Sequence, residues 1–453
     1  MNEATALDRN TRNRVWFGSL SGSSVEWFDF FLYATAAGLI FNKQFFPTDD
    51  PYVSLMISYV TLSITFFVRP IGGVIFAHIG DKVGRKKTLV MTITLMGAAT
   101  IAIGLLPTYE QAGMLAPILL TLCRVVQGLA IGGEWGGALL LAYEFAPRNR
   151  RGLYGAIPQM GISIGMLLST LAFAIVTSLP GTAFEDWAWR VPFISSILLV
   201  LLGLWIRNGL GETPAFKKVH EQGHPPKLPI ADTIRDHWRS VLVAAGAKTV
   251  ETAPFYLFST FVVAYATTTL SYDRTTILNI VTVAAVICTI MIPLTGRLSD
   301  DWGRRRTFIL GAVLVGAVTV PFFVLLNVGQ VWAAFLAVTL AFGICWPWTT
   351  STIGTMTSEI FDARVRYTGV TLGYQIGACL AGGTMPLLAV WMLRHFNGQW
   401  WPIATYIIAI AVLAIIAVLA SPMVTRIEAD QLRKRGIEPN IDSDVIQAGK
   451  ART

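Results

Sequence analysis

Twelve long apolar stretches cut this chain into blocks, and few folds can accommodate them. They run over about 15–41, 52–77, 89–107, 115–145, 153–179, 190–209, 240–268, 275–297, 308–326, 331–358, 366–393 and 399–421. Each is long enough to cross roughly 30 Å of hydrocarbon as a helix. In hydrocarbon every backbone N–H and C=O must be satisfied within the segment, so a run of this kind becomes an α-helix. Hydrophobic residues make up 54% of the chain and charged residues 14%, about half the charged share of an ordinary soluble domain. The expectation is an all-α membrane protein with twelve transmembrane helices.

Polar segments divide the blocks into two sets of six. Residues 1–14 form an N-terminal tail, 15–209 a first six-helix half, 210–239 a Pro- and Gly-containing linker, 240–421 a second half, and 422–453 a charged tail. The net charge of +8 could suggest a polyanion as partner, but its placement argues otherwise. Lys82, Lys86, Arg148, Lys217, Arg235, Arg305 and Arg364 fall on one set of loops, and the opposite loops carry little beyond Lys43, Arg190, Arg274 and Arg394. By the positive-inside rule the basic loops and both termini are cytoplasmic. The expected setting is a multi-pass protein of a bacterial inner membrane, a monomer in the lipid bilayer, with no nucleic acid partner. The N-terminus is polar and the first block too long for a secretory h-region, so no leader is expected. Cys123, Cys288, Cys345 and Cys379 lie in four different blocks with no CxxC pair, which points to packing rather than to disulfides or a metal.

One phrase occurs in both halves. Gly80-Asp81-Lys82-Val83-Gly84-Arg85 and Ser299-Asp300-Asp301-Trp302-Gly303-Arg304 share acid, glycine and arginine at equal spacing. Charge bias alone would not keep acids and glycines in register. Asp81, Gly84, Arg85, Asp300, Gly303 and Arg304 are therefore expected to gate one end of the bundle, bridging the halves when that end is shut. A weaker repeat places Glu144 before Arg151 and Glu359 before Arg366, each pair between two blocks. Two related halves that rock against each other expose a central site alternately to the two sides of a membrane.

Charges inside apolar blocks are expensive and mark pathways or partners. Glu26 and Asp29 stand one turn apart in the first block, where mutual repulsion favours a proton on one of them. The fourth block carries Arg124, with Gln127 and Gly128 on the same face, and Glu134 further along in a glycine-rich run. The seventh carries Lys248 and Glu251, with Phe255 and Tyr256 a turn beyond. Lys248 and Glu251 can neutralise each other, or Lys248 can face a cavity and attract an anion. Tyr33, Gln159, Tyr256, Trp348, Tyr374 and Gln375 are embedded groups able to hydrogen-bond a polar solute. Glu26, Asp29 and Glu134 are the proton-coupling candidates, and Arg124 with Lys248 the carboxylate-binding ones.

Arg69-Pro70-Ile71-Gly72-Gly73 leading into Gly80-Asp81-x-x-Gly84-Arg85 resembles the loop signature of the major facilitator superfamily. Glu26-Trp27-Phe28-Asp29-Phe30, Gly132-Gly133-Glu134-Trp135-Gly136-Gly137 and Trp187-x-Trp189-Arg190-x-Pro192-Phe193 resemble its metabolite:proton symporters, and Leu204-Trp205-Ile206-Arg207-Asn208-Gly209 with Gly373-Tyr374-Gln375 resembles shikimate permeases. The resemblance implies two pseudo-symmetric six-helix halves and proton symport of a small hydrophilic metabolite. It implies a monocarboxylate such as shikimate as substrate, with Glu26 and Lys248 departing from the usual aspartate and arginine. A zwitterion such as betaine or proline, or a dicarboxylate, stays open as the substrate, and a non-transporting receptor is the remote alternative. No GxxxxGK[ST] loop is present, so no nucleotide is expected. Neither are a cofactor, a metal or enzyme chemistry.

Overall fold

A computed structural model describes residues 9–83, 85–132, 146–208, 230–361 and 366–421, and these are almost wholly helical. Twelve rods result. They are α1 (Arg9–Ala36, extended by a π-helical segment Ala37–Phe41), α2 (Pro51–Val83), α3 (Arg85–Leu105), α4 (Leu115–Gly132), α5 (Arg151–Thr177) and α6 (Arg190–Asn208). In the second half α7 is Ile230–Tyr256, continued through a π-segment Leu257–Phe261 into Val262–Thr268; α8 is Arg274–Trp302 and α9 Arg304–Leu326. α10 runs over Val331–Val338, Thr339–Cys345 and Pro347–Ile360, α11 over Arg366–Ala381 and Met385–His395, and α12 over Trp401–Leu419. Among the described residues nine helical segments are long and apolar enough to span a membrane, and shorter apolar helices cover Val90–Leu105 and Arg190–Trp205. With α7 these complete the expected twelve. The helix of α7 starts inside the stretch read as linker and bends at His237, whose φ and ψ of −125° and 20° are not helical.

The chain passes up and down, so one end of the bundle carries the linker (the linker end) and the other carries the short loops at 42–50, 178–189, 269–273 and 396–400 (the far end). Within each half the helices pack closely, α1 on α5, α2 on α4, α3 on α6, α7 on α11 and α9 on α12. Small residues make that closeness possible. A Cβ on Gly132 of α4 would fall on the Arg69 carbonyl oxygen, and one on Gly72 would strike the Leu129 backbone. This is the small-residue packing expected where lipid supplies no hydrophobic drive between helices.

The halves meet along α5 and α8, which run antiparallel. Ser163, Thr170 and Thr177 recur every seven residues on α5, and Thr289, Thr282 and Thr275 do so on α8. Their hydroxyls pair across the interface at 2.9, 3.0 and 3.3 Å. A seven-residue spacing keeps one face of a helix toward its partner, and each hydroxyl satisfies another where no water is present. α2 and α11 make the second seam. Pro70 has no N–H for the Phe66 carbonyl one turn back, and the Cys379 thiol donates to that oxygen from α11 at 2.8 Å. Cys379 was expected only to fill space; it also bridges the halves.

Candidate functional site

A pocket lies at the junction of the two halves, walled by Trp27 (α1), Phe66 and Arg69 (α2) and Ile162 (α5) from the first. The second half supplies Lys248, Glu251, Thr252, Phe255 and Tyr256 from α7, Trp346 from α10, and Tyr374 and Ala378 from α11. Helical spacing explains the α7 wall: Lys248, Glu251, Thr252 and Phe255 lie three or four residues apart on one face.

Glu251 is the organised acid of the pocket. It forms an ion pair with Lys248, and both side chains are buried. The oxygen facing Lys248 also accepts from Thr252 at 2.8 Å, and the other accepts from Thr350 at 3.0 Å. Trp346 Nε1 donates to the Glu251 carbonyl at 2.6 Å. The Lys248 ammonium sits 3.9 Å from the Tyr374 ring centroid, a favourable cation–π position. Lys248 and Glu251 therefore neutralise each other.

Arg69 is the charged wall residue that the sequence reading passed over. It is 1% exposed, with its guanidinium carbon 4.2 Å from the Phe66 ring centroid and 4.8 Å from that of Phe30. Its position in the second apolar block was a readable signal, masked by its place in a family motif. Rings from both halves pack together in and around the pocket wall: Phe31 on Phe255 at 5.1 Å, Phe66 on Tyr256 at 5.5 Å, and Phe255 on Trp346 at 4.9 Å.

Arg124 is fully buried in the first half. It donates to Gln127 at 2.6 Å, and Gln127 donates to Thr100 of α3 at 2.9 Å. The guanidinium lies 3.8 Å from the Tyr33 ring centroid, and the Tyr33 hydroxyl bonds Thr61. Asp29 is buried beside Thr100 and Ser196, and its Oδ1 has no hydrogen-bond partner among the described residues. The two acids of α1 thus face different surroundings: Asp29 lies within the first half, while Glu26 acts electrostatically on Tyr374 of the second. Gln159 donates across the interface to the Thr350 carbonyl at 3.3 Å. Gln375 is buried next to Tyr374 in sequence but is not a wall of the pocket. Trp348 is outside it too, its ring tilted against that of Trp302 with centroids 6.3 Å apart. Trp346 takes the expected place, because two residues turn an α-helix by about 200°.

At the linker end the repeated loop of the second half joins the halves. Asp300 accepts from the backbone N–H of Gly152 at 2.7 Å and of Leu153 at 3.0 Å, capping the first turn of α5 from another helix. A carboxylate there meets unsatisfied N–H groups and the positive end of a helix dipole. Arg304 holds Asp300 at 2.6 Å, donates to the Ser299 carbonyl at 2.7 Å and lies 3.7 Å from Glu359. Gly303 has φ +94°, a conformation that favours glycine and explains its place in the phrase. Glu134, Glu144 and Gly84 lie outside the described residues, as do the side chains of Asp81, Arg85 and Arg366. At the far end Asp50 pairs with Arg394 at 2.7 Å and Glu185 with Arg274 at 3.6 Å, both between halves.

Among known proteins, the shikimate transporter of Escherichia coli (strain K12) is 36% identical, over 89% of this chain and 93% of that one. The chain belongs to the major facilitator superfamily. Residues 16–224 match the family described as sugar (and other) transporter, and residues 245–450 match the Major Facilitator Superfamily. An inner membrane metabolite transport protein of the same strain is 37% identical over 92% of this chain and 97% of its own. Its proline/betaine transporter is 32% identical over 92% and 84%. The crystal structure of a D-xylose-proton symporter superposes with a TM-score of 0.66 at 16% identity, covering 90% of this chain and 96% of that one. That likeness concerns the fold. With named transporters as relatives, this member of the superfamily is a multi-pass metabolite carrier and not an enzyme, as its sequence led us to expect.

Proposed function

We propose that the chain is a proton symporter for a small hydrophilic monocarboxylate, with shikimate the first candidate. The carrying observation is a charge balance. Among the described residues α1, α2, α4 and α7 bury three cations, Arg69, Arg124 and Lys248, and three acids, Glu26, Asp29 and Glu251. Uncompensated charge at this depth costs several kcal/mol. An entering monoanion upsets the balance by one, and one proton on a carboxylate restores it. Asp29, with an open oxygen beside the Arg124–Gln127–Thr100 chain, is the favoured acceptor; Glu134 is the alternative. Empty and doubly loaded carriers are then both neutral within and can reorient, while half-loaded ones resist. In this reading the Asp300 cap on α5, and Asp81 by duplication, release when the linker end opens. The protein works as a monomer in a bacterial inner membrane, with the linker end and both termini in the cytoplasm.

The test is uptake of radiolabelled shikimate by cells expressing the chain. Accumulation should rise as external pH falls and collapse with a protonophore. Asp29→Asn should keep shikimate exchange while losing accumulation. Accumulation that follows a sodium gradient and ignores pH would reject proton coupling.

A second reading, uptake of a zwitterion such as betaine, is favoured by the aromatic walls Trp27, Trp346 and Tyr374, which suit a quaternary ammonium. Betaine uptake without shikimate competition would promote it.

A further inference from the structure

We infer that Arg69 is the anchor for the substrate's carboxylate and the residue that selects monoanions over dianions, an assignment resting on the carboxylate reading above. Arg69, Lys248 and Glu251 are the three charged side chains in the wall of the pocket. Lys248 and Glu251 satisfy each other, and the remaining Glu251 oxygen is taken by Thr350. That pair has no net charge to offer a ligand. Arg69 has one. Its Nε and Nη2 are buried and have no hydrogen-bond partner among the described residues. These two nitrogens form one edge of the guanidinium, and their parallel N–H bonds are spaced to meet the two oxygens of a carboxylate.

The surroundings supply rings and one hydroxyl, that of Tyr256, which hydrogen-bonds the guanidinium but leaves its Nε–Nη2 edge unpaired among the described residues. Phe66, Phe30 and Trp27 lie 4.2, 4.8 and 5.8 Å from the guanidinium carbon. Ring faces offset part of the desolvation of a cation, but they leave the donors of that edge empty. Arg124 has an open edge of the same kind. It is not a wall of the pocket, however, and it is tied through Gln127 to the Asp29 side of the first half. The two arginines therefore divide the work, Arg124 linked through Gln127 and Thr100 to the proton acceptor and Arg69 on the substrate. A second carboxylate on the substrate would meet a Lys248 already neutralised by Glu251. A monoanion is complete on Arg69 alone, and a dianion is not.

The experiment uses the full-length protein in proteoliposomes, with radiolabelled shikimate as probe and methyl shikimate, its ester, as competitor. For the parent the acid should be preferred. Arg69→Lys, which keeps the charge but loses the fork, should raise the half-saturation concentration for the acid about tenfold or more. Arg69→Gln should remove the preference of acid over ester. A merely structural arginine would lower the maximal rate for both compounds and leave the half-saturation ratio alone. Arg69→Gln with an acid half-saturation within about twofold of the parent and an unchanged acid-to-ester ratio would overturn the assignment.

Should the parent carry betaine and ignore shikimate, the monocarboxylate reading falls and the anchor is tested with betaine against choline, which lacks the carboxylate. Loss of that preference in Arg69→Gln keeps the anchor; its survival rejects it. A parent that carries only uncharged solutes rejects both. If Arg69→Gln does not reach the membrane, tryptophan fluorescence of the parent and of Arg69→Lys decides, since Trp27 and Trp346 line the pocket. Saturable quenching by shikimate and not by its ester, weakened in Arg69→Lys, supports the anchor, and equal quenching by both overturns it.

Discussion

Glu251 shows how much one side chain can organise. It binds Lys248 and accepts from Thr252 and Thr350, and its carbonyl receives Trp346. Removing one partner of a buried ion pair leaves a charge with no compensation, typically at a cost of about 3–5 kcal/mol. Glu251→Gln should therefore lower the apparent melting temperature of the purified protein markedly, and adding Lys248→Met should recover most of the loss. A double variant no more stable than the single one would show that the pair is not a unit. For this residue the spacing of three in an apolar block offered the pair as one of two readings, the other being a Lys248 turned to an anionic substrate. What it could not show was Thr350, which lies 99 positions away and arrives on another helix. Trp348 and Trp346 make the same point in reverse: both were readable as embedded tryptophans, and only the packing of α10 decided which one faces the pocket.

Among elements, the α5–α8 seam holds the two halves in register. Its three hydroxyl pairs span from mid-membrane to the far end, and Asp300 closes the same seam at the linker end. Membrane hydrogen bonds of this kind average about 0.6 kcal/mol each, so the ladder fixes register without gluing the halves together. Thr177→Cys with Thr275→Cys, in a background whose four cysteines are replaced, should crosslink on oxidation and stop transport until reduced. Continued transport in the crosslinked protein would mean that this end does not open. Duplication is visible here as well. The first helix of each half, α1 and α7, carries a π-segment at an equivalent place, Ala37–Phe41 and Leu257–Phe261. Such segments recur at functional sites, and no residue pattern in the two stretches announced them.

On the scale of the molecule, the two ends are held by different means. The far-end pairs Asp50–Arg394 and Glu185–Arg274 are partly exposed, and exposed ion pairs contribute about 0–1 kcal/mol and weaken with salt. The linker-end lock is buried, with Asp300 and Arg304 each 6% exposed. Asp300→Asn should therefore speed labelling of cysteines introduced in the inner cavity from the linker side, whereas Arg394→Gln should change far-side labelling little at physiological salt. Equal effects from the two variants would contradict this asymmetry.

The sequence by itself determined the twelve rods, because hydrocarbon leaves a long apolar run only the helix. It also showed the duplication, because Asp300, Gly303 and Arg304 each answer a separate physical demand: a cap, a positive φ and a counter-charge. The meeting of Arg69 with Lys248, Thr350 with Glu251 and Asp300 with the start of α5 was decided by tertiary structure alone. Those partners sit on different helices, and one-dimensional spacing reports only which face of its own helix a residue shares. Which faces are then turned toward each other depends on how closely glycine-bearing helices such as α2 and α4 can approach, and only the assembled bundle sets that distance.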